Sequence, residues 1–331
     1  TESMDCEVKN LCDYTNEMNL ESSFEYKTIE SLGNKVRLCD SNDKGLELFC
    51  YVNCNSNDSK ELQNCRGIVF DNKKLVMKAF PYTHEIEHNN REYITEKLES
   101  IFEKCIFYDA LEGALIRMFW YDNQWYVCTH RKLNAFRSKW ASNESFGTCF
   151  KKALQEELNY NKDFYDACYS EENNDNILDR FQSTLDKNKQ YMFLLCHTKE
   201  NRIVCNPPHD KSKVYHVGSF YNGNLDMEDK CLISYPPKRN FSSCEEMINF
   251  VESCNVFDLQ GIIVFAPNNE QFKIIHSEYL NLFTTRGNEP SIKFRYLQVR
   301  MDNKMTDKLY HLYPEMIPIF ENIENILYNI A

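Results

Sequence analysis

The sequence predicts an α+β protein in which mostly antiparallel sheets are flanked by helices and followed by a short helical C-terminal extension. Three observations carry this. Short runs rich in β-branched and aromatic residues recur along the chain between polar turns. Segments with apolar residues at helical spacing interrupt them. The 331 residues show no internal repeat and no Gly-, Ser- or Pro-rich linker, which fits one large unit, 1–285, with an appendage, 286–331.

The strands read in order are 46–52 (LELFCYV), 67–71 (GIVFD), 74–80, 114–120 (ALIRMFW) and 125–129 (WYVCT). The last two flank Tyr121-Asp122-Asn123-Gln124 and predict a hairpin. Further strands are expected at 191–196, 202–205, 214–220, 261–266 and 271–276. Ile94, Leu98, Ile101, Phe102 and Cys105 fall on one face of a helix. Other helices are expected near 148–158, 177–187, 243–254 and 291–300. The tail from about 307 is helical and broken at Pro314 and Pro318. The acidic, Asn-rich stretch 156–186 reads as a helical surface insertion.

Composition narrows the class. Hydrophobic content of 42% with 27% charged residues is a globular balance and excludes collagen-like and wholly disordered chains. A net charge of −12 excludes a protein that coats nucleic acid non-specifically, so any such contact needs a local basic patch. No apolar run approaches the ~18 residues of a membrane span, so no membrane partner is expected. The first residues, TESMDCEVKN, show no charged-then-apolar signal pattern. With that reading, the fifteen scattered cysteines are expected to be free thiols in the cytoplasm or another reducing compartment. The close pair Cys50 and Cys54 has no matching second pair for a structural zinc.

Several catalytic patterns fail. His84-Glu85-Ile86-Glu87-His88 fits HExxH, but it is short, lacks a third ligand and reads as a polar surface turn. There is no GxSxG, no P-loop and no GxGxxG, and only nine glycines in all. Phosphate, if bound, must be held by Lys and Arg side chains.

The informative stretch is 65–140. Cys65-Arg66-Gly67-Ile68-Val69-Phe70-Asp71 is followed by Lys78-Ala79-Phe80, then Asp109-Ala110-Leu111-Glu112-Gly113, then Thr129-His130-Arg131-Lys132. Further on come Asn201-Arg202-Ile203-Val204, Leu259-Gln260-Gly261-Ile262-Ile263-Val264, and Phe272-Lys273-Ile274-Ile275 with Tyr279. In order and spacing, over about 45–285, this set resembles the ATP-dependent RNA ligases of the phage RNA ligase 1 type, within the covalent nucleotidyltransferase superfamily. The resemblance implies an adenylylation domain that joins or repairs RNA ends through lysyl-AMP, with ATP and Mg²⁺ or Mn²⁺ as cofactors and an RNA 5′-phosphate end as partner. It implies that Arg66, Lys78 and Lys273 contact phosphates, with Lys273 catalytic as well, that Glu112 lies beside the ribose, and that Gly113 and Gln260, the latter at the motif IV position, bind the nucleotide. It names no metal-ligating residue of this chain. Taken singly, each of these charged residues is equally an ordinary solvated strand end.

The chemistry explains the residue types. A lysine amine attacks the α-phosphate, and nearby cations lower its pKa and offset the triphosphate charge. This chain departs from that pattern at the decisive place. The nucleophile position is Ala110, which has no amine. Gln260 replaces a glutamate, Ile275 replaces the second motif V lysine, and the motif III glutamate falls near Leu195. The primary reading is an RNA ligase whose nucleophile has been replaced, inactive as written; the alternative is a non-catalytic nucleotide- or RNA-binding relative of the same fold. An mRNA guanylyltransferase fits less well, because no fused downstream domain is evident.

The basic patch that the net charge requires lies at 123–143. Arg131, Lys132, Arg137 and Lys139 stand there without an acid, interleaved with Trp125, Tyr126, Phe136 and Trp140. Cations for phosphate and aromatics for stacking suit a single-stranded RNA end; a solvated cationic face over a core has the same composition. A second cluster, Arg286, Lys293, Arg295 and Arg300, is read either as RNA-facing or as packing for the tail.

Overall fold

The computed structural model describes residues 24–331 except 79, 81, 173–175 and 208–210. The N-terminal stretch read for a signal, together with Cys6, Ala79 and Pro81, therefore lies outside the described residues. Helix α1 (Tyr26–Leu32) leads into β1 (Val36–Ser41) and β2 (Leu46–Tyr51), and the short α2 (Lys60–Gln63) precedes β3 (Arg66–Asp71) and β4 (Lys74–Met77). Next come β5 (Thr83–Glu87), α3 (Arg91–Leu98), β6 (Ile106–Ala110) and the pair β7 (Gly113–Tyr121) and β8 (Gln124–Cys128). Helices α4 (Phe146–Tyr160), α5 (Lys162–Cys168) and α6 (Ile177–Ser183) lead to β9 (Lys189–Cys196), β10 (Val214–Tyr221), β11 (Asn224–Asp226) and β12 (Lys238–Arg239). Helix α7 (Cys244–Ser253) precedes β13 (Gly261–Phe265) and β14 (Gln271–Ile275). The chain closes on α8 (Ser277–Arg286), α9 (Ile292–Val299), α10 (Asn303–Leu312) and α11 (Ile317–Ile330).

The strands form three sheets, ordered β1-β2-β3-β4, β11-β10-β9-β7-β8 and β12-β6-β13-β14-β5. All pairings are antiparallel except β14 with β5. The protein is thus α+β, as expected. Alternation sorts each strand onto two faces. On β7, Ile116 and Met118 face α4–α6 and join Phe150, Phe164, Phe181 and Phe193 in one core. Leu115 and Phe119 point the other way, into a second core shared with Tyr108 and Phe265 of the third sheet and Leu48 and Val69 of the first. The 156–186 stretch therefore supplies a core layer, with Phe164, Ile177 and Phe181 fully buried. On the outer face of the third sheet, Ile86, Ile262, Val264 and Ile274 pack against α3 and α7.

The tail helices share a further core with Val204, Cys205, Val256 and Ile275. Pro314 breaks the tail as expected, but Pro318 does not. It lies in the first turn of α11, where a missing N–H costs nothing. The helix expected over 94–105 also divides, continuing from Leu98 as a 3₁₀ turn over Glu99–Lys104. Among the described residues no helix is long and apolar enough to cross a membrane, and the cysteines are free thiols.

Candidate functional site

Four of the segments quoted for the resemblance, 109–113, 201–205, 259–264 and 272–279, converge although they span more than 160 residues of chain. Strand β6 ends at Ala110, which pairs directly with Gly261 at the start of β13. The Gln260 N–H donates to the Ala110 carbonyl at 3.0 Å, and the Gln260 carbonyl accepts from His276 N–H at 2.9 Å. Gly261 has φ +151°, and a Cβ there would lie 1.9 Å from the Ile274 carbonyl oxygen, so only glycine lets the strands approach this closely. Across β14, Ile275 pairs with Gly261. Lys273, two residues back on the same face, pairs with Glu85 of β5 at 3.2 Å.

These neighbours are closed off. Ala110 is 2% exposed, Ile275 2% and Gln260 7%. The adjoining hollow lined by Glu112, His197, Cys205 and Asp258 has about 10 Å³, room for one water molecule. Among the described residues no group of three or more His, Cys, Asp or Glu side chains could hold a metal ion.

Glu112 is fully committed. Its carboxylate accepts the backbone N–H groups of Ile203 (3.1 Å), Val204 (2.7 Å) and Cys205 (3.0 Å), and the Tyr279 hydroxyl at 2.8 Å. This corrects the strand expected at 202–205: those N–H groups turn toward one carboxylate, so none is left for a ladder. Burial and the Glu112 charge push the Tyr279 hydroxyl up, keeping it a donor. Gly113 opens β7 opposite Cys196. Burial pushes the Cys205 thiol up, with Glu112 adding to it and Lys273 opposing. The His197 imidazole is pushed down to about 4 by burial.

A second constellation involves a residue that the sequence reading passed over. Arg117, in the middle of the apolar strand β7, is fully buried. Its Nη2 donates to the Thr129 carbonyl at 3.0 Å, while buried Nε and Nη1 have no partner among the described residues. Gly67, at φ +83°, leaves room for it: a Cβ would sit 2.7 Å from Nη2 and 2.8 Å from the His130 Cα. The start of β3 thus touches the Thr129–Lys132 turn, where Thr129 Oγ1 accepts from the Arg131 and Lys132 N–H groups. Burial first, then Arg66, Arg117 and Arg131, push the His130 imidazole down to about 3. Three guanidinium groups gathered with no carboxylate paired to them among the described residues leave a local positive field on an acidic protein. The signal for Arg117 in the sequence was an arginine interrupting "ALIRMFW".

Arg131, Arg137 and Lys139 are exposed and Lys132 half-buried, and none of the four forms an ion pair among the described residues. Their aromatic neighbours are mostly occupied. Tyr126 stacks on Phe119 at 5.0 Å, and Trp125 packs toward Tyr191. Trp140 donates to the Asn288 carbonyl and lies 4.9 Å from the Arg286 guanidinium. Phe136 is the exposed one, at 40%. The three arginines of the second basic cluster pack the tail, while Lys293 is exposed on α9. Arg286 is 2% exposed and bonds the Glu289 and Pro290 carbonyls, Arg295 bonds the Thr284 and Thr285 carbonyls, and Arg300 pairs with Glu324 at 2.7 Å.

Lys78 lies apart from Ala110, its Nζ donating to the Gly223 carbonyl at 3.1 Å. His84-Glu85-Ile86-Glu87-His88 forms β5 and its end, a strand rather than a turn. Four strand residues separate the two histidines by about 13 Å, too far to share a metal. His88 Nδ1 instead accepts the Ser277 N–H.

With this geometry in view, the relatives at the highest similarity carry one name, viral immediate-early protein ICP-46 or its homolog, and a viral protein named as a putative bifunctional polynucleotide kinase/RNA ligase is further off. The chain is 28% identical over 315 residues to an immediate-early protein ICP-46 homolog of Invertebrate iridescent virus 3, covering 92% of this chain and 63% of that protein. It is 31% identical over 286 residues to the homolog of Invertebrate iridescent virus 6, covering 80% and 59%. A putative bifunctional polynucleotide kinase/RNA ligase of Autographa californica nuclear polyhedrosis virus is 23% identical over 240 residues, 68% of this chain and 31% of that one. The chain thus spans about three fifths of the length of the first relatives. An archaeal ATP-dependent RNA ligase structure overlaps 92% of this chain and 79% of its own, at 10% identity and a TM-score of 0.48. No family model matches.

Proposed function

We propose that the chain is an RNA ligase-like nucleotidyltransferase scaffold that holds the 5′-phosphate end of RNA without forming lysyl-AMP. One observation carries the reading: Ala110 stands where 109–113, 259–264 and 272–275 meet, and it is buried beside Gly261, Gln260 and Ile275. Covalent transfer needs an amine at that point, and alanine supplies none. Glu112, bonded four times, serves as a strut between β7, the 203–205 turn and α8. No step is assigned to ATP or to a metal.

The cationic surface supports RNA binding. Arg66 and Arg131 flank the Gly67–His130 contact, and Lys132, Arg137 and Lys139 continue along the following loop. Phosphate contacts of this kind release counterions and give salt-dependent affinity. The resemblance to RNA ligases and the similarity to a protein named as a putative kinase/RNA ligase support RNA as the partner class. The test compares 5′-phosphorylated with 5′-hydroxyl single-stranded RNA. Tighter binding of the phosphorylated strand, with no AMP adduct on the protein in the presence of ATP, is the expected result; equal binding overturns the 5′-end reading. The alternative, a ligase with only its nucleophile replaced, draws on the retained Arg66, Lys78 and Lys273.

A further inference from the structure

Helix α8 begins on two histidines. The Glu278 N–H donates to Nδ1 of His276, the residue that opens the helix, at 3.1 Å. The Ser277 N–H donates to Nδ1 of His88, also at 3.1 Å. His88 arrives from the end of β5, where its own backbone N–H donates to the Ile275 carbonyl at 2.9 Å. The two imidazoles stack, with centroids 4.7 Å apart and planes 35° from parallel. His88 is buried and His276 half-buried.

A backbone N–H can only donate, so each Nδ1 must present a lone pair. Both rings are therefore neutral, with the proton on Nε2, for as long as the two caps hold. A Ser or Asn cap offers an oxygen that does not titrate near neutral pH; an imidazole nitrogen does. Three effects oppose the charged ring here. A protonated Nδ1 is a donor aimed at a donor, the helix N-terminus carries partial positive charge, and a second imidazolium 4.7 Å away repels the first. The charged groups around His88 do not reverse this. Glu252 of α7 is paired with Arg91 of α3 at 2.7 Å, while Glu87 and Glu278 are exposed. Burial first, then His276, push the His88 imidazole down; Glu252 and the Ile275 carbonyl oppose this and Arg91 adds to it. The helix matters to the fold, because Tyr279 in its first turn bonds Glu112 and joins Leu282 in the tail core.

We propose that His88 and His276 form an acid-sensitive latch: while both rings are neutral they cap α8 and keep Tyr279 on Glu112, and their protonation frees the first turn of the helix and loosens the tail from the β6–β7 junction. The latch is closed above about pH 6.5, the unfolded histidine value, and opens as pH falls below it. The proposal does not rest on the reading of Ala110 or of the Arg131 surface.

The experiment is hydrogen exchange of the full chain at pH 7.5 and pH 5.5, corrected for the intrinsic exchange rate, read on 277–286 and on β7 as the reference. Protection of 277–286 is expected to fall by about tenfold for each ring that must stay neutral one pH unit below its unfolded value, and β7 should keep its protection. His276→Asn keeps an oxygen acceptor at the cap and removes one titrating ring, so the logarithmic fall should halve. Unchanged protection of 277–286 in the wild type, or an equal fall in His276→Asn, overturns the proposal. An equal fall in β7 also overturns it, since that is global unfolding, which His130 and His197 already account for. Nitrogen NMR of the imidazoles in the wild type gives an independent answer that needs no variant. Both rings should carry the proton on Nε2 at pH 7.5, and a proton on Nδ1 of either one overturns the latch.

Discussion

The Tyr279 hydroxyl donates to the Glu112 carboxylate at 2.8 Å, joining residues 167 positions apart in the chain. Through it the start of α8 is tied to the segment that joins β6 to β7. Tyr279→Phe keeps the ring and removes one bond to a charged acceptor. It should lower unfolding free energy by about 1.5–3 kcal/mol. Glu112→Gln should cost more, because an amide cannot accept from three N–H groups and a hydroxyl together. Urea denaturation of both variants checks the order; equal stabilities for the wild type and Glu112→Gln contradict the strut role.

Charge reversal at Arg131 and Lys132 should weaken single-stranded RNA binding and flatten its salt dependence. Two lost phosphate contacts reduce the slope of log K against log salt by about 1.4, at roughly 0.7 per contact. Fluorescence anisotropy at several salt concentrations measures it. An unchanged slope makes these residues a solvated face.

The same titration on Arg286→Ala should show no change in salt slope. Its guanidinium is buried against the Glu289 and Pro290 carbonyls and Trp140. The cost should appear in stability, about 2 kcal/mol or more as those carbonyls lose their donor. A reduced RNA salt slope with unaltered stability would reverse this assignment.

Stability should fall with acid before most carboxylates protonate. His130 and His197 titrate near 3 and 4 when folded, against about 6.5 unfolded. Between those values the unfolded chain binds more protons, so stability rises with pH through the window and is lost as pH falls below about 6.5. Each histidine contributes at most about 1.4 kcal/mol per pH unit there. Unfolding followed at pH 7, 6 and 5 tests this. His197→Gln should reduce the slope; a flat profile shows that these rings are solvated.

Much of the fold was legible because the signals were local. Tyr121-Asp122-Asn123-Gln124 marked the β7–β8 hairpin, and Asp122 and Asn123 both take positive φ, the two-residue turn that suits twisted strands. The meeting of 109–113 with 259–264 was legible only through the ordered resemblance, since no local pattern places β6 beside β13. Three features depended on tertiary partners. The 203–205 segment gave up its ladder for Glu112, Arg286 and Arg295 found carbonyls instead of solvent, and Arg117 became an interior cation because Gly67 makes space. A charge written in sequence does not say which way it faces.

On the proposed function, position 110 does not support covalent nucleotidyl transfer. Ala110→Lys, incubated with labelled ATP and either Mg²⁺ or Mn²⁺ and resolved on a denaturing gel, tests it most directly. A lysine there enters a space closed by Gly261, Gln260 and Ile275, with no carboxylate at 260 and no cation at 275. Burying the ammonium should lower the melting temperature by several degrees, and no AMP adduct should form with either metal. A folded Ala110→Lys variant that becomes labelled with AMP contradicts the account and restores the reading of a ligase lacking only its nucleophile.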